Sequence, residues 1–402
     1  MLFCPCNPCV VMIKLTTVKS ILLCMDFNSH FPGNKEVFYE KMKPILLAIL
    51  ILVLLLLAIF VAVYFTRIKT MSTIRQITEY PEYNLYSMDV EYDYDLDRLI
   101  AYGIEDNQSF TEAILKEALP YLPVHIESPD FGCSAFTMVE PSGNVLMGRN
   151  YDFKNNTSAM LVYCAPRDGY KSVAFAALDN ASANQPLSSL SKRMACLTAP
   201  FICLDGMNEK GVSIAVLTLD SEPTHQKTGQ PTIGTTLAIR LVLDRADTTQ
   251  KAVELLSSYD MFATSGRDYH FYITDASGDG RVIEYDCDDP QRKLVDTKSP
   301  AVTNFFVMYK EKVLPEQMNG VYGHGRERYD KIEAILEEYT GNYSREIAWK
   351  ALVAASQEPK EGDVTSNTQW SIVYDDTELT GEVVLRRQWK DVIPFALERD
   401  NG

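Results

Sequence analysis

Histidine is scarce in this chain. Five occur in 402 residues (His30, His125, His225, His270 and His324), and none pairs at helix spacing with another ligand. Neither a metal centre nor an organic cofactor is predicted. Positive charge is also short: 38 Lys and Arg face 54 Asp and Glu, a net charge of −16. Phosphates would be repelled, which excludes nucleic acid as a partner; the balance suits a solvated ectodomain. The nine cysteines are odd in number and irregularly spaced, which argues against a disulfide framework. Cys4-x-Cys6-x-x-Cys9 is half of a zinc motif, with no second ligand cluster to complete it. There is no internal repeat. The composition, 46% hydrophobic and 23% charged, is that of a folded chain with material for one large core or two small ones.

Long apolar runs are absent too, with one exception. Ile45 to Phe65 is unbroken for 21 residues. As a helix at about 1.5 Å per residue it is about 31 Å long, the thickness of a hydrocarbon core of about 30 Å. Lys41 and Lys43 precede it; Arg67 and Lys69 follow. Lys14, Lys19 and Lys35 add charge on the N-terminal side, so the N-terminus is placed inside and the acidic bulk outside. The run is longer than a signal peptide's apolar region and no small-x-small site follows at once, which favours a retained anchor. The expected division is a cytoplasmic tail over 1–41, an anchor over 42–68, a juxtamembrane pro-segment over 69–132 and a catalytic domain over 133–402. Met42-Lys-Pro before the run also reads as a natural start, which would make residues 1–41 a mis-assigned beginning. The expected location is a membrane, single-pass, with the catalytic domain extracytoplasmic.

Past the anchor, Phe110 to Leu119 has helical spacing, ended by Pro120 and Pro123. From Gly132 short strands take over. Ser134–Val139 and Asn144–Gly148 bracket a Pro-Ser-Gly turn, a hairpin signal. Further strands are predicted over 159–164, 212–219, 269–274, 282–285, 370–374 and 382–385. Helices are predicted over 235–245, 249–257, 327–339 and 344–355. This order suggests sheets covered by helices rather than a closed barrel.

Chemistry concentrates in four places. The first is Gly132-Cys-Ser-Ala-Phe136 with Gly148-Arg-Asn-Tyr-Asp-Phe153 on the return strand, so antiparallel pairing brings Arg149 and Asp152 near Cys133. An arginine beside a thiol favours the reactive thiolate, and an aspartate can orient an amine; an inert buried thiol beside an ordinary ion pair fits the same residues. The second is Asp205-Gly-Met-Asn-Glu-Lys-Gly211, a turn-rich stretch before the apolar strand Val212–Leu219. The third is Asn304 in Val-Thr-Asn-Phe305, otherwise a turn residue. The fourth is the loop Gly323-His-Gly-Arg-Glu-Arg-Tyr329, whose arginines otherwise read as surface charge.

Together these stretches resemble the choloylglycine hydrolase and penicillin V acylase family of linear amide C–N hydrolases, within the N-terminal nucleophile hydrolases. The resemblance runs from Cys133 to about Arg387. Its most specific pieces are Cys-Ser with Gly-Arg-Asn-x-Asp-Phe and the Asp-Gly-Met-Asn-Glu-Lys-Gly segment. The arginine lies 16 residues after the cysteine and the aspartate 19. The resemblance implies an α+β fold, the four-layer αββα sandwich, here preceded by one transmembrane helix. It implies Cys133 as nucleophile, Arg149 and Asp152 as the pair that tunes the thiol and holds the freed amine, and Asn304 as oxyanion donor. Thr218 stands where the family has asparagine or tyrosine, which puts its side chain's role in doubt. The late arginine falls in Arg326-Glu-Arg328; Arg328 is preferred because Tyr329 follows it, as an aromatic does in the family.

An internal cysteine has no free α-amine, so the Gly132–Cys133 bond must first break. The expected activity is hydrolysis of a small-molecule N-acyl amide through an acyl-thioester. An acyltransferase on the same scaffold, or a non-catalytic membrane-tethered binding protein, is the competing reading. A homo-oligomer is left open.

Overall fold

A computed structural model describes residues 35–120, 132–184, 187–361 and 366–398. The cysteines at 4, 6, 9 and 24 and the proposed tail up to residue 34 lie outside the described residues. The chain divides into two compact units, Met1–Ala62 and Val63–Gly402. What is described of the first belongs to one helix, Lys35–Thr73, which continues into the second. Its stretch Glu40–Thr73 is long and apolar enough to cross a membrane. Apart from the partly buried Leu46, its leucines and isoleucines between 45 and 59 are about half exposed or more. A membrane anchor and a signal sequence both fit such a helix.

The second unit is built on two stacked sheets. Nine strands form the larger, in the order β1 (Arg75–Gln76), β2 (Leu85–Asp89), β5 (Ala159–Cys164), β6 (Ser172–Ala177), β7 (Cys203–Asn208), β8 (Ser213–Leu219), β11 (Asp268–Thr274), β12 (Arg281–Tyr285) and β13 (Leu294–Lys298). The smaller runs β14 (Ala301–Val302), β3 (Gly132–Val139), β4 (Val145–Asp152), β15 (Thr368–Asp375), β16 (Thr380–Leu385) and β17 (Ile393–Ala396). A parallel pair, β9 (Thr232–Gly234) and β10 (Asp260–Phe262), stands apart. Pairing is antiparallel throughout the two main sheets except between β2 and β5.

Helices cover both outer faces. Thr235–Arg245 packs on β7 and β8, and Thr249–Leu256 reaches β11. Arg326–Glu338 and Arg345–Ala355 cover β3, β4, β14 and β15. Strand β3 meets β8 and β11 across the interior. This is the expected mixed α+β arrangement, two sheets between two helical layers. Burial explains the strand composition: β4, β6, β8, β11 and β15 are buried at every position, as sheets covered on both faces require. Every predicted strand and helix from Ser134 onward falls on an observed element of the same type.

Candidate active site

The site forms where β3 begins. Antiparallel register places Gly132 opposite Asp152, Cys133 opposite Tyr151 and Ala135 opposite Arg149. The hairpin therefore carries both charged residues back past the cysteine. Cys133 is wholly buried. Burial pushes its thiol up to about 12, opposed by the Arg149 guanidinium and by hydrogen bonds from Arg149 and the Asp152 backbone.

Arg149 is anchored by three contacts. It donates through Nη1 to the Asn150 carbonyl at 2.6 Å and through Nη2 to the Val216 carbonyl at 2.9 Å. Its Nε meets Asp205 Oδ2 at 3.4 Å, with both side chains fully buried. Asp205 also accepts from Tyr374 Oη at 2.5 Å and from Trp370 Nε1 at 3.5 Å. Burial raises the Asp205 carboxyl, and Arg149 pulls against that rise. Asp205 was legible only as part of a turn-rich segment. It lies instead on β7, and the turn proper is Glu209–Gly211, with Gly211 at φ +71.

Asp152 accepts from Thr368 Oγ1 at 2.6 Å and from Gln357 Nε2 at 2.7 Å, with Arg328 Nη1 at 3.5 Å. Burial raises its carboxyl; Arg328 and these hydrogen bonds oppose it. Gln357 and Thr368 are more than 200 residues away in sequence, and no local signal marks them.

Asn304 bridges the two sheets. Its Oδ1 accepts from the Cys133 backbone N–H at 3.0 Å and from Arg328 Nη2 at 2.6 Å. Its Nδ2 donates to the Thr218 carbonyl at 2.9 Å, with Thr218 Oγ1 at 3.3 Å. A guanidinium only donates and a carbonyl only accepts, so these partners fix which way the amide faces. Thr218 thus faces the site through its carbonyl as well as its hydroxyl. Arg328 also donates through Nη1 to the Cys133 carbonyl at 2.9 Å. Arg326 turns elsewhere, to Asp330 and the Lys310 carbonyl.

The six residues singled out in the sequence, Cys133, Arg149, Asp152, Thr218, Asn304 and Arg328, therefore form one connected cluster about Cys133. A buried thiol with a guanidinium, a carboxylate and an oriented amide about it is suited to nucleophilic acyl transfer. Among the described residues no cluster of His, Cys, Asp or Glu is arranged to hold a metal.

Residues 133–307 match the model of the linear amide C–N hydrolases, choloylglycine hydrolase family. Among solved structures, the chain is similar to a mutant conjugated bile acid hydrolase from Clostridium perfringens. Identity is 14%, coverage 67% of this chain and 93% of that one, and the TM-score 0.49. It is also similar to penicillin V acylase from Agrobacterium tumefaciens, at 17% identity, 66% and 86% coverage and a TM-score of 0.47. No curated protein matches the chain. The matched segment opens on Cys133 and extends past Asn304, and over that segment, somewhat less than half of its length, the chain is similar to the hydrolases of linear amide C–N bonds in the choloylglycine hydrolase family.

Proposed function

We propose that this chain is a membrane-anchored cysteine amidase that matures by cutting itself between Gly132 and Cys133. The observation that carries the reading is the set of contacts on Cys133. Its nitrogen bonds to Asn304, its carbonyl to Arg328, and its thiol sits by Arg149. A residue held at its nitrogen, its carbonyl and its sulfur suits a nucleophile that also becomes a chain terminus.

In the first step Cys133 Sγ attacks the Gly132 carbonyl. The C–N bond breaks, the thioester forms, and the nitrogen leaves as the α-amine of Cys133. Water then hydrolyses the thioester, giving a Gly132 carboxylate and restoring the thiol. The freed amine titrates near 7.7–8.0 when unperturbed, so about a tenth to a sixth of it is proton-free at pH 7 and about half near pH 8. It takes the thiol proton as Sγ attacks the substrate carbonyl. The same proton goes to the departing amine as the acyl-thioester forms. Water releases the acid. Asn304 Oδ1 retains the amine, Nδ2 turns from the Thr218 carbonyl toward the oxyanion, and Asp152 and Arg328 hold the terminus.

The domain reading follows: tail 1–41, anchor 42–68, pro-segment 69–132 and catalytic part 133–402, with the last outside the membrane. The substrate class is an N-acyl amide with an amphipathic acyl group, which a membrane-held enzyme would meet at the lipid surface.

The test is one substitution. Mass spectrometry of the purified wild type should find a fragment beginning at Cys133. Cys133→Ala should remain a single chain and lose all amidase activity on a panel of N-acyl amides. Cleavage of the Cys133→Ala chain at the same bond would sink self-processing, and an intact wild type with full activity would sink the need for a freed amine.

A further inference from the structure

Beneath Asn304 lies a second polar group, buried to the same degree, that the proposed chemistry does not use. His270 on β11 and Glu284 on β12 stand one step along the ladder from the Phe271–Ile283 pair, and neither has any exposed surface. His270 Nε2 meets the Thr303 carbonyl at 2.9 Å, and Nδ1 meets Glu284 Oε1 at 3.2 Å. A ring nitrogen that faces a carbonyl oxygen must carry a proton. Glu284 then accepts two backbone N–H groups, from Val307 to Oε1 at 2.6 Å and from Met308 to Oε2 at 3.0 Å.

These contacts fall at the two ends of a single segment. Thr303 opens it, Val307 and Met308 close it, and Asn304 lies between. The segment follows the two-residue strand β14 and runs into the 3-10 turn Val307–Lys312, whose own N-cap residue makes no side-chain hydrogen bond. Glu284 therefore supplies from another strand what the local sequence does not. The segment is also tied to the loop that seats Arg328: Thr303 Oγ1 donates to the Gly325 carbonyl, and the His324 N–H donates to the Asn304 carbonyl.

A buried imidazole and carboxylate are costly unless hydrogen-bonded, and an apolar pair would fill this space at less cost. What the polar pair supplies, and an apolar one would not, is partners for three backbone groups flanking Asn304. We propose that His270 and Glu284 are positioning residues that clamp the Thr303–Met308 segment and so fix the Asn304 amide against Cys133. This rests on the proposed role of Asn304.

The experiment uses the full chain in detergent, with the dodecanoyl amide of aminomethylcoumarin as probe and cleavage after Gly132 as a substrate-independent readout. His270→Phe should lower kcat per titratable Cys133 thiol by about tenfold or more, with KM changed less than about twofold, the pattern of lost transition-state alignment. Cleavage should slow in parallel. His270→Gln keeps an N–H for Thr303 and should recover part of both rates. Glu284→Gln is nearly isosteric and should reproduce the kcat loss if His270→Phe does not fold. Asn304→Ala is the reference. If it leaves both rates at the wild-type level, the proposed function is at fault. If it lowers them while folded His270→Phe and Glu284→Gln do not, the positioning pair is refuted.

Discussion

Cys133 illustrates how much a single residue depends on its surroundings. In the uncut chain burial pushes its thiol up to about 12, opposed by the Arg149 guanidinium, so the attack proposed on the Gly132 carbonyl starts from the thiol and must pass its proton on as the sulfur bonds. Asp376 shows the same effect of burial. It is buried, its Oδ1 accepts from Ser213, and its Oδ2 has no hydrogen-bond partner among the described residues. Burial raises its carboxyl well above the ordinary 3.8; Ser213 opposes this, while Asp375 and Asp275 add to it. The folded state therefore keeps a proton that the unfolded chain releases. That contribution is fully present below the unfolded value of 3.8 and is lost as pH rises through the folded value. Within that window the slope is one proton, about 1.4 kcal/mol per pH unit. Asp376→Asn carries no such proton. Its melting temperature at pH 7 should equal or exceed the wild type's, and the loss of stability above pH of about 4 should flatten. Thermal melts from pH 4 to 8 that overlay the wild-type curve would refute this.

At the scale of elements, the turn Gly323-His-Gly325 seats both Asn304 and Arg328. Gly323 has φ +100, and a Cβ there would lie 2.1 Å from the Asn304 carbonyl oxygen and 2.4 Å from the Phe305 Cα. Both obstacles are backbone and have no rotamer to escape into. Gly341 makes a control, at φ +80 with open space around it. Gly341→Ala should cost only the backbone penalty, about 1 kcal/mol, whereas Gly323→Ala should cost about 2–4 kcal/mol and slow cleavage after Gly132. Equal melting temperatures for the two variants would show that the turn does not hold Asn304. The sequence signal for this turn was its pair of glycines, but what they accommodate was not visible. Strands were readable where branched and aromatic residues run together, as in β8 and β11. They were missed where small or polar residues form them: β6 is Ser-Val-Ala-Phe-Ala-Ala, and β7 contains Asp205, Gly206 and Asn208, which locally favour turns. The site divides in the same way. Cys133, Arg149, Asp152, Asn304 and Arg328 sit in recognisable stretches. Asp205, Gln357, Thr368, His270 and Glu284 gain their importance only from contacts between elements distant in sequence.

The whole molecule answers a question the chain's layout poses: what would hold a catalytic part at the membrane once the bond before Cys133 is cut. Residues on the N-terminal side of that bond belong to the same compact unit as the catalytic sheets. Strand β2 lies inside the nine-stranded sheet, paired on one side with β1 and on the other with β5 over five residues. Leu85, Met88, Leu99, Ala113 and Ile114 are completely buried. Tyr92 donates to the Leu197 carbonyl at 2.5 Å and Tyr94 to Asp244 at 3.0 Å. Arg193 donates to the Met71 carbonyl. Arg67, near the end of the apolar helix, ties the Glu117 and Ala118 carbonyls at 2.6 and 2.7 Å. Each large side chain buried this way is worth about 1.5–3 kcal/mol, and loss of β2 would bare the edge of β5 to unwanted pairing. Cutting one peptide bond removes none of these contacts. In membranes carrying the processed enzyme, the fragment from Cys133 onward should therefore stay in the pellet through a wash in 1 M salt, roughly ten times the ionic strength that gives a Debye length of about 10 Å, because the contacts are mainly apolar and main-chain. It should leave with the supernatant only in urea, when the sheet itself comes apart. Release by salt alone would mean that β2 and its helices do not hold the two fragments together, and that the anchor serves only the precursor.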